Sequence, residues 1–232
     1  MHAAKLPSTP LPAAAVDAAV GEEVDAFARI FGSAPRVVVP PTFVWSRDVE
    51  RAWAQHGVEG LVTPGRRSTC RNAAGEPACD EGPIVNGDRS GGMTCVVRVD
   101  YFEPARGRDA AHAVQALDRA MREGRPCVLE NHRDNFIGEP AACRAALAEL
   151  DMLLRHALQR NPDLRFLSTP ELCRILRERD PRWIAAALSS RLPALRARLA
   201  QSGRAWALLR LTGAAALWGA FAGLVAGWRT GP

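Results

Sequence analysis

The segment RPCVLENHRDNF, residues 125–136, holds the pattern that decides the fold. Its apolar run predicts a short buried strand, and six consecutive hydrogen-bonding side chains follow before Phe136. A strand that ends in so many polar groups indicates either an active site or a turn. In folds built from parallel strands covered by helices, chemistry gathers at the carboxyl ends of the strands. The patterns on either side of the segment therefore bear on both interpretations.

Strand and helix patterns alternate on both sides of this segment. Strands are predicted over residues 36–40, 58–63, 94–104, 125–132 and 163–168. Helices are predicted over residues 16–31, 46–57, 109–122, 141–159 and 169–180, with Ser46 and Thr169 as N-caps. The alternation predicts an α/β fold, a partial (β/α) barrel of parallel strands with outer helices, followed by C-terminal helices.

Residues 65–92 interrupt this alternation. They are rich in Gly, Arg, Asp and Asn and longer than most connections, so we predict a functional or mobile loop. Two of the six cysteines, Cys70 and Cys79, lie in this loop. The sequence leaves open whether they form a disulfide or stay as two thiols.

The composition narrows the class of protein. At 232 residues, 47% of them hydrophobic, the chain can bury a sizeable core. Its basic excess is local, since nine arginines lie between residues 174 and 210. This excess is not interleaved with aromatic residues, so we exclude nucleic acid as a partner. The cysteine and histidine spacings are not those of zinc sites, and the N-terminus is not typical of a signal peptide, which predicts a reducing compartment.

The barrel domain is predicted over residues 1–180, and the remaining 52 residues are predicted to lie outside it. Residues 181–202 form an amphipathic, Arg-rich helical segment, and residues 203–232 an apolar helix. Residues 211–228 carry no charge and span roughly 27 Å as a helix, close to a bilayer core. We predict a membrane anchor, with the membrane as a partner and the main domain facing the cytoplasm. The alternative is an Ala/Gly-rich packing helix in a soluble cytoplasmic protein.

Two predicted strands bring ionisable side chains to their carboxyl ends. Period-two alternation places Glu130 and His132 on one face of the strand in the opening segment, and Arg98 and Asp100 on one face of the preceding strand. A histidine held beside carboxylates is a typical general acid. The alternative is a set of ion pairs that closes the sheet edge. The remaining histidines, on helices or at the N-terminus, are weaker candidates.

Five motifs in order resemble the C-terminal half of bacterial polysaccharide-deacetylase-like proteins. They are PRVVVPPTFVW, GVEGLVTPGRR, YFEP, RPCVLENHRDNFIG and NPDLRFLSTPEL. The resemblance covers residues 24–176, and its most specific parts are residues 132–136 and 162–172. It implies a (β/α) barrel with an active site at the carboxyl ends of its strands.

The resemblance also implies a chemistry. Members of the family use an Asp and two His to hold a divalent metal, a second Asp as base and a late-strand His as general acid. A metal-bound water attacks an acetamide carbonyl while the acid protonates the leaving amine. By position, His132 resembles that late histidine. We predict catalytic roles for His132, Glu130 and Asp100, and contacts to a polysaccharide or oligosaccharide for Arg98, Arg133, Asn135, Tyr101 and Trp45.

The metal-holding motifs of the family are not in this sequence. It has no Asp-Asp pair at an early strand end and no His-x-x-x-His, so we expect no metal site in this chain. Zinc or a similar divalent metal is expected only with the missing N-terminal motifs. The chain is thus interpreted as a fragment or a degenerate relative. A non-catalytic carbohydrate-binding scaffold and a membrane interaction protein are the competing hypotheses.

Overall fold

The computed structural model describes residues 8–185, 187, 191–192, 195–196, 199, 207–208 and 210–213. These residues form a mixed α/β structure with helices and a small, partly parallel sheet, which confirms the predicted α/β class at this level. The chain divides into two compact units. The first unit contains residues up to 98 together with Phe166–Asp180, and the second contains Val99–Arg165 and the residues beyond 180.

The helices and strands have the following bounds. The helices are α1 (Ala13–Phe31), α2 (Arg47–Gln55), α3 (Ala110–Arg122), α4 (Pro140–Arg160) and α5 (Thr169–Glu178). The strands are β1 (Val37–Val38), β2 (Gly60–Thr63), β3 (Arg66–Arg71), β4 (Pro77–Pro83), β5 (Arg89–Ser90), β6 (Met93–Val97), β7 (Asp100–Tyr101) and β8 (Leu129–Glu130).

The sheet of the first unit has the strand order β1-β2-β6-β5. The pairs β1-β2 and β2-β6 are parallel, whereas β5 pairs antiparallel with β6. Every residue of β6 is buried, as expected for a central strand covered on both faces. Val16, Val20 and Val24 of α1 belong to the same core cluster as Leu61 and Trp53. Helix α1 is therefore held by the valines spaced four residues apart.

Helix α2 begins as the sequence predicts. The amide of Val49 donates to Ser46 Oγ at 3.4 Å, so Ser46 satisfies one of the free amides of the first turn. Asp48 lies in that turn, where a negative charge favours the helix dipole. The helix buries Ala52 and Trp53 together with a charged residue, Glu50, which is 2% exposed.

The prediction of a loop over residues 65–92 is wrong where β3, β4 and β5 form. Strands β3 and β4 pair antiparallel across a short turn, and β5 joins the sheet before β6. The amide of Asn72 donates to the Glu76 carbonyl at 3.0 Å, and Gly75 takes a φ of 81° that favours glycine. The hairpin lacks an apolar alternation because most of its side chains are partly or fully exposed.

Two further strand predictions need correction. Residues 163–168 form no strand, and Phe166 is 62% exposed. The strand predicted over residues 94–104 is divided into β6 and β7.

The N-cap of α5 is Ser168 and not Thr169. The Ser168 hydroxyl accepts from the Glu171 amide, and the Glu171 carboxylate accepts from the Ser168 amide.

The second unit is built on the parallel pair β7-β8. Asp100 aligns with Leu129, and Tyr101 with Glu130. Helix α3 follows with Asp109 as its N-cap, whose side chain accepts from the His112 amide at 3.0 Å. Helix α4 lies against α3. Phe102, which follows β7, belongs to a core cluster with residues of α3 and α4, namely Ala110, Ala113 and Leu153.

The predicted membrane helix is corrected. In the part of the chain that the structure describes, every helix is too short or too polar to span a bilayer. Residues 210–211 are helical, but Thr212 forms a turn and Gly213 has a φ of 70°, a conformation that commonly ends helices. The helix therefore stops inside the predicted span, and attachment to a membrane through it is not supported. Residues 214–228 of that span lie outside the described residues, as does half of the predicted amphipathic segment 181–202.

Glu59, which directly precedes β2, pairs with Arg36 before β1 and with Arg177 on α5. Its carboxylate accepts from Arg36 at 3.0 Å and from Arg177 at 2.6 Å. These hydrogen bonds, the one from Arg36 foremost, lower the pKa of Glu59 from 4.5 to about 2. Glu59 is more than a third exposed, so solvent screens part of this stabilisation.

We expect this group to contribute to acid unfolding. The folded-state pKa is depressed, so the stabilisation is present above pH 4.5 and is lost as the pH falls toward about 2. The difference in urea midpoint between wild type and Glu59→Gln should thus be largest near neutral pH and shrink over this range. Glu22→Gln, an exposed position on α1, is the control. A difference that stays constant between neutral pH and pH 2 would contradict the assignment.

Candidate functional site

The polar segment after β8 meets the end of β7 in the second unit. The Phe102 amide donates to the Glu130 carbonyl at 2.8 Å, which extends the parallel pairing beyond Tyr101. Glu103 follows at once and is 3% exposed. His132 leaves β8 in extended conformation and contacts it. Two strand ends thus bring a buried carboxylate and a half-exposed imidazole together.

The ring of His132 lies between two carboxylates. Nδ1 pairs with Glu103 Oε1, and Nε2 is 3.3 Å from Glu130 Oε1. Both contacts are hydrogen bonds at the same time when both ring nitrogens carry a proton, or when one nitrogen does and the carboxyl group at the other donates its own. The side chain of His132 is 47% exposed, whereas those of Glu103 and Glu130 are 4% and 19% exposed. This arrangement fixes the ring while leaving part of it open to solvent.

A short loop holds Glu103 in place. Its amide donates to the Arg108 carbonyl at 2.8 Å, and the Arg108 amide donates back to the Glu103 carbonyl at 3.0 Å. Arg106 brings a guanidinium to 3.3 Å from Glu103 Oε2 and to 3.0 Å from Asp134. The buried carboxylate is therefore paired on both oxygens, which offsets the cost of taking it out of water.

Asn135, a predicted substrate contact, is buried and links two loops by hydrogen bonds. It is 4% exposed. Its Oδ1 accepts from the Ala105 amide at 3.2 Å, and its Nδ2 donates to the His132 carbonyl at 2.8 Å. The side chain links the loop that carries Glu103 to the backbone of His132, so it positions the pair.

Asp100 is engaged by a second set of partners. Its Oδ1 is 2.8 Å from His112 Nε2, and its Oδ2 accepts from Arg119 at 2.9 Å. Burial alone would raise the pKa of Asp100. The hydrogen bond from His112, with those from the Tyr101 amide and Arg119, outweighs it, so the pKa lies below its usual range. Asp100 is thus a carboxylate tied to α3.

The other predicted substrate contacts divide between the two units. In the second unit, Tyr101 is half-buried with the Arg108 guanidinium 4.2 Å from its ring centre, and Arg133 is exposed. In the first unit, Arg98 stacks over the Phe43 ring at 4.6 Å. Trp45 is 3% exposed there and donates through Nε1 to a buried glutamate. Tyr101 and Arg133 are therefore the predicted contacts that share the unit of His132 and keep exposed surface.

The residues around His132 do not fit a metal ion. Glu103 and Glu130 bind opposite nitrogens of the same ring, so the three side chains do not converge on one point. Among the described residues, no group of three or more His, Cys, Asp or Glu side chains is arranged to hold a metal. The described side chains instead hydrogen-bond one another around a partly exposed imidazole.

Comparison with protein-family models, with characterised proteins and with solved structures found no match. The resemblance to polysaccharide deacetylases consequently stays a prediction.

Sequence reasoning missed Glu103 and ranked His112 among the weaker candidates. Glu103 stands in the motif YFEP, two residues after β7, and its nearness to a strand end was an available signal. Strict period-two alternation could not find it, because the chain leaves the strand at Glu103 with a φ of −138° and a ψ of 77°. His112 follows the N-cap Asp109 by three residues, a position that places it in the first turn of α3, where it reaches Asp100.

Proposed function

We propose that this chain is a member of a carbohydrate-active hydrolase family resembling polysaccharide deacetylases, with His132 as its proton-transferring residue. The observation that carries the proposal is the half-exposed imidazole fixed between Glu103 and Glu130 at the ends of two parallel strands. The parallel pairs in both units are compatible with the finer proposal of a partial (β/α) barrel.

The roles of the residues follow from their contacts. Water attacks the acyl carbon of an acetylated sugar, and His132 donates a proton to the amine or alcohol that leaves, so that acetate is released. Glu103 holds Nδ1, so that the exposed part of the ring has one orientation. Asn135 keeps the two loops in register, and Tyr101 and Arg133 offer the ring face and the guanidinium that sugars commonly bind.

A non-catalytic carbohydrate-binding protein is the second proposal. It is favoured by one observation: the described residues hold no group that could bind the metal on which deacetylation in the resembling family depends. In this alternative His132 and its carboxylates are hydrogen-bonding partners of a bound sugar. The two proposals differ in whether acetate is released.

The test uses the full chain and chitotetraose, an N-acetylated oligosaccharide. Acetate release is measured by a coupled assay, and binding by calorimetry, for wild type and for His132→Gln. If the chain is a hydrolase, we expect His132→Gln to lower acetate release by roughly 10²–10⁴-fold with little change in binding. Glu103→Gln should also lower it, since the ring loses its fixed orientation.

His56→Gln is the matched control, because His56 is also a partly exposed histidine paired with a carboxylate, that of Asp17 at 3.2 Å. It should behave as wild type. Binding without acetate release, weakened by His132→Gln, would overturn the hydrolase in favour of the carbohydrate-binding protein. If the folded chain neither binds the oligosaccharide nor releases acetate, both proposals are wrong.

A further inference from the structure

Two free thiols face each other across the β3-β4 hairpin of the first unit. Cys70 lies in β3 and Cys79 in β4, with their Sγ atoms 2.6 Å apart. Cys79 is exposed and Cys70 partly so. Both sulfurs are therefore close enough to react with each other and open enough to meet a reagent from solution.

The backbone departs from regular strand geometry to bring them together. The register pairs Ser68 with Asp80 and Cys70 with Ala78, so Cys79 lies opposite the residue that precedes Cys70. Regular alternation would send its side chain to the opposite face from that of Cys70. Cys79 instead has a φ of 60°, a left-handed conformation that is unfavourable for a residue with a β-carbon.

The hairpin is held without a covalent link. Besides the backbone pair of its turn, Asn72 Nδ2 donates to the Glu76 carboxylate at 3.0 Å, and the Asn72 side chain accepts from the Glu76 amide at 2.9 Å. Arg66 also pairs with Asp80 across the strands. The two thiols are thus positioned by the fold before any oxidation.

We propose that Cys70 and Cys79 form a site of reversible thiol–disulfide exchange whose co-substrate is a small disulfide such as glutathione disulfide. The exposed Cys79 thiolate attacks one sulfur of the small disulfide and expels one glutathione thiolate. Cys70 then gives up its proton and attacks Cys79 Sγ in the mixed disulfide, which expels the second glutathione thiolate. The protein dithiol is oxidised, one small disulfide is reduced to two thiols, and excess thiol reverses both steps.

The order of attack follows from the surroundings of each sulfur. The hydrogen bond with Cys79, with burial as a smaller cause, raises the pKa of Cys70 above its usual range. Cys70 therefore keeps its proton while Cys79, which is the more exposed, reacts first.

The other described thiols are poor competitors. Cys95 and Cys173 are 0% and 2% exposed, and burial raises their pKa to about 12 and about 11. Burial likewise raises the pKa of Cys127 to about 11. Cys143 is partly exposed and lies on α4 in the second unit, away from this pair in sequence, which makes it the natural control.

The experiment titrates the reduced full-length chain with mixtures of reduced and oxidised glutathione. Free thiols are counted after acid quenching, and peptide mapping locates any link. We expect the loss of two thiols, a Cys70–Cys79 cross-link, and a melting temperature about 5–10 °C higher in the oxidised form, because the link closes a loop of the unfolded chain. Dithiothreitol should return both the thiols and the original melting temperature.

Single variants separate the two steps. Cys70→Ser should stop at a mixed disulfide on Cys79, whereas Cys79→Ser should react far more slowly, and Cys143→Ser should behave as wild type. The proposal is overturned if wild type keeps all its thiols in excess glutathione disulfide, if it stalls as a stable mixed disulfide, or if it forms only links between chains. These readouts need no carbohydrate, so their outcome is independent of the function proposed above.

Discussion

Replacing Glu50 with alanine is expected to lower the free energy of unfolding by about 3–5 kcal/mol, the usual cost of removing one partner of a buried ion pair. Glu50 is 2% exposed and lies on α2. Its carboxylate accepts from the Trp45 indole at 2.8 Å, from Arg67 at 2.5 Å and from the Ser90 hydroxyl at 2.7 Å. Three donors from three separate segments therefore depend on one side chain.

Most of this loss in the free energy of unfolding is expected to come from Arg67, which loses Glu50 as an ion-pair partner. It is 6% exposed, and in the variant its guanidinium would keep Glu81 as an acidic partner at 2.9 Å but would lose the fully buried one. A buried donor that loses its acceptor costs its whole desolvation penalty. The Trp45 indole and the Ser90 hydroxyl would also lose Glu50 as their acceptor. Urea unfolding followed by tryptophan fluorescence would measure the effect, since Trp45 and Trp53 lie in this core.

Arg51→Ala provides the control on the same helix. Arg51 also forms an ion pair, with Asp48 at 2.8 Å, but its side chain is 62% exposed. Such a pair contributes at most about 1 kcal/mol. If Glu50→Ala and Arg51→Ala cost the same, the buried network does not contribute as its geometry indicates.

Gly60→Ala is the second substitution with a large expected effect, although it adds only one methyl group. A β-carbon at residue 60 would lie 2.4 Å from the Cys173 sulfur and 3.0 Å from a methyl of Val37. Strand β2 is central in its sheet and Cys173 on α5 is buried, so neither side can move freely. We expect a loss of about 1–3 kcal/mol in the free energy of unfolding, the usual range for overpacking.

The clash can be tested by removing its other half. Cys173→Ala alone should cost less than Gly60→Ala, and the double variant should recover much of the stability that Gly60→Ala loses. Urea unfolding of the four proteins completes the cycle. If Gly60→Ala costs as much with alanine at residue 173 as with cysteine, the sulfur is not what it meets.

Local sequence signals predicted the helices well because each signal acts within one turn. Ser46 and Asp109 cap their helices through amides only three residues away. The position of the α5 cap was missed by one residue, since Ser168 and Thr169 are both good N-caps and only the reciprocal bond with Glu171 decides between them.

Strands were harder because they depend on partners that are distant in sequence. The alternation at residues 163–168 resembles a strand, but no strand among the described residues pairs with it. The polar β3-β4 segment has no such pattern and nonetheless pairs, because its turn and cross-strand ion pairs fix the register. The candidate site was likewise predicted only where its residues lie within one strand pattern. His132 and Glu130 share a strand and were predicted together, whereas Glu103 reaches them from outside the strand pattern.

Asn135 bears on how sequence conservation around His132 should be interpreted. Its side chain is almost fully enclosed and hydrogen-bonds to the amide of Ala105, the carbonyl of His132 and the side chain of Asn131. Selection for folding alone would then preserve asparagine here, with or without the proposed activity. An invariant Asn135 in an alignment would thus be poor evidence for that activity, whereas variation at His132 beside a retained Asn135 would indicate that the fold is kept without the proton-transferring residue that we propose.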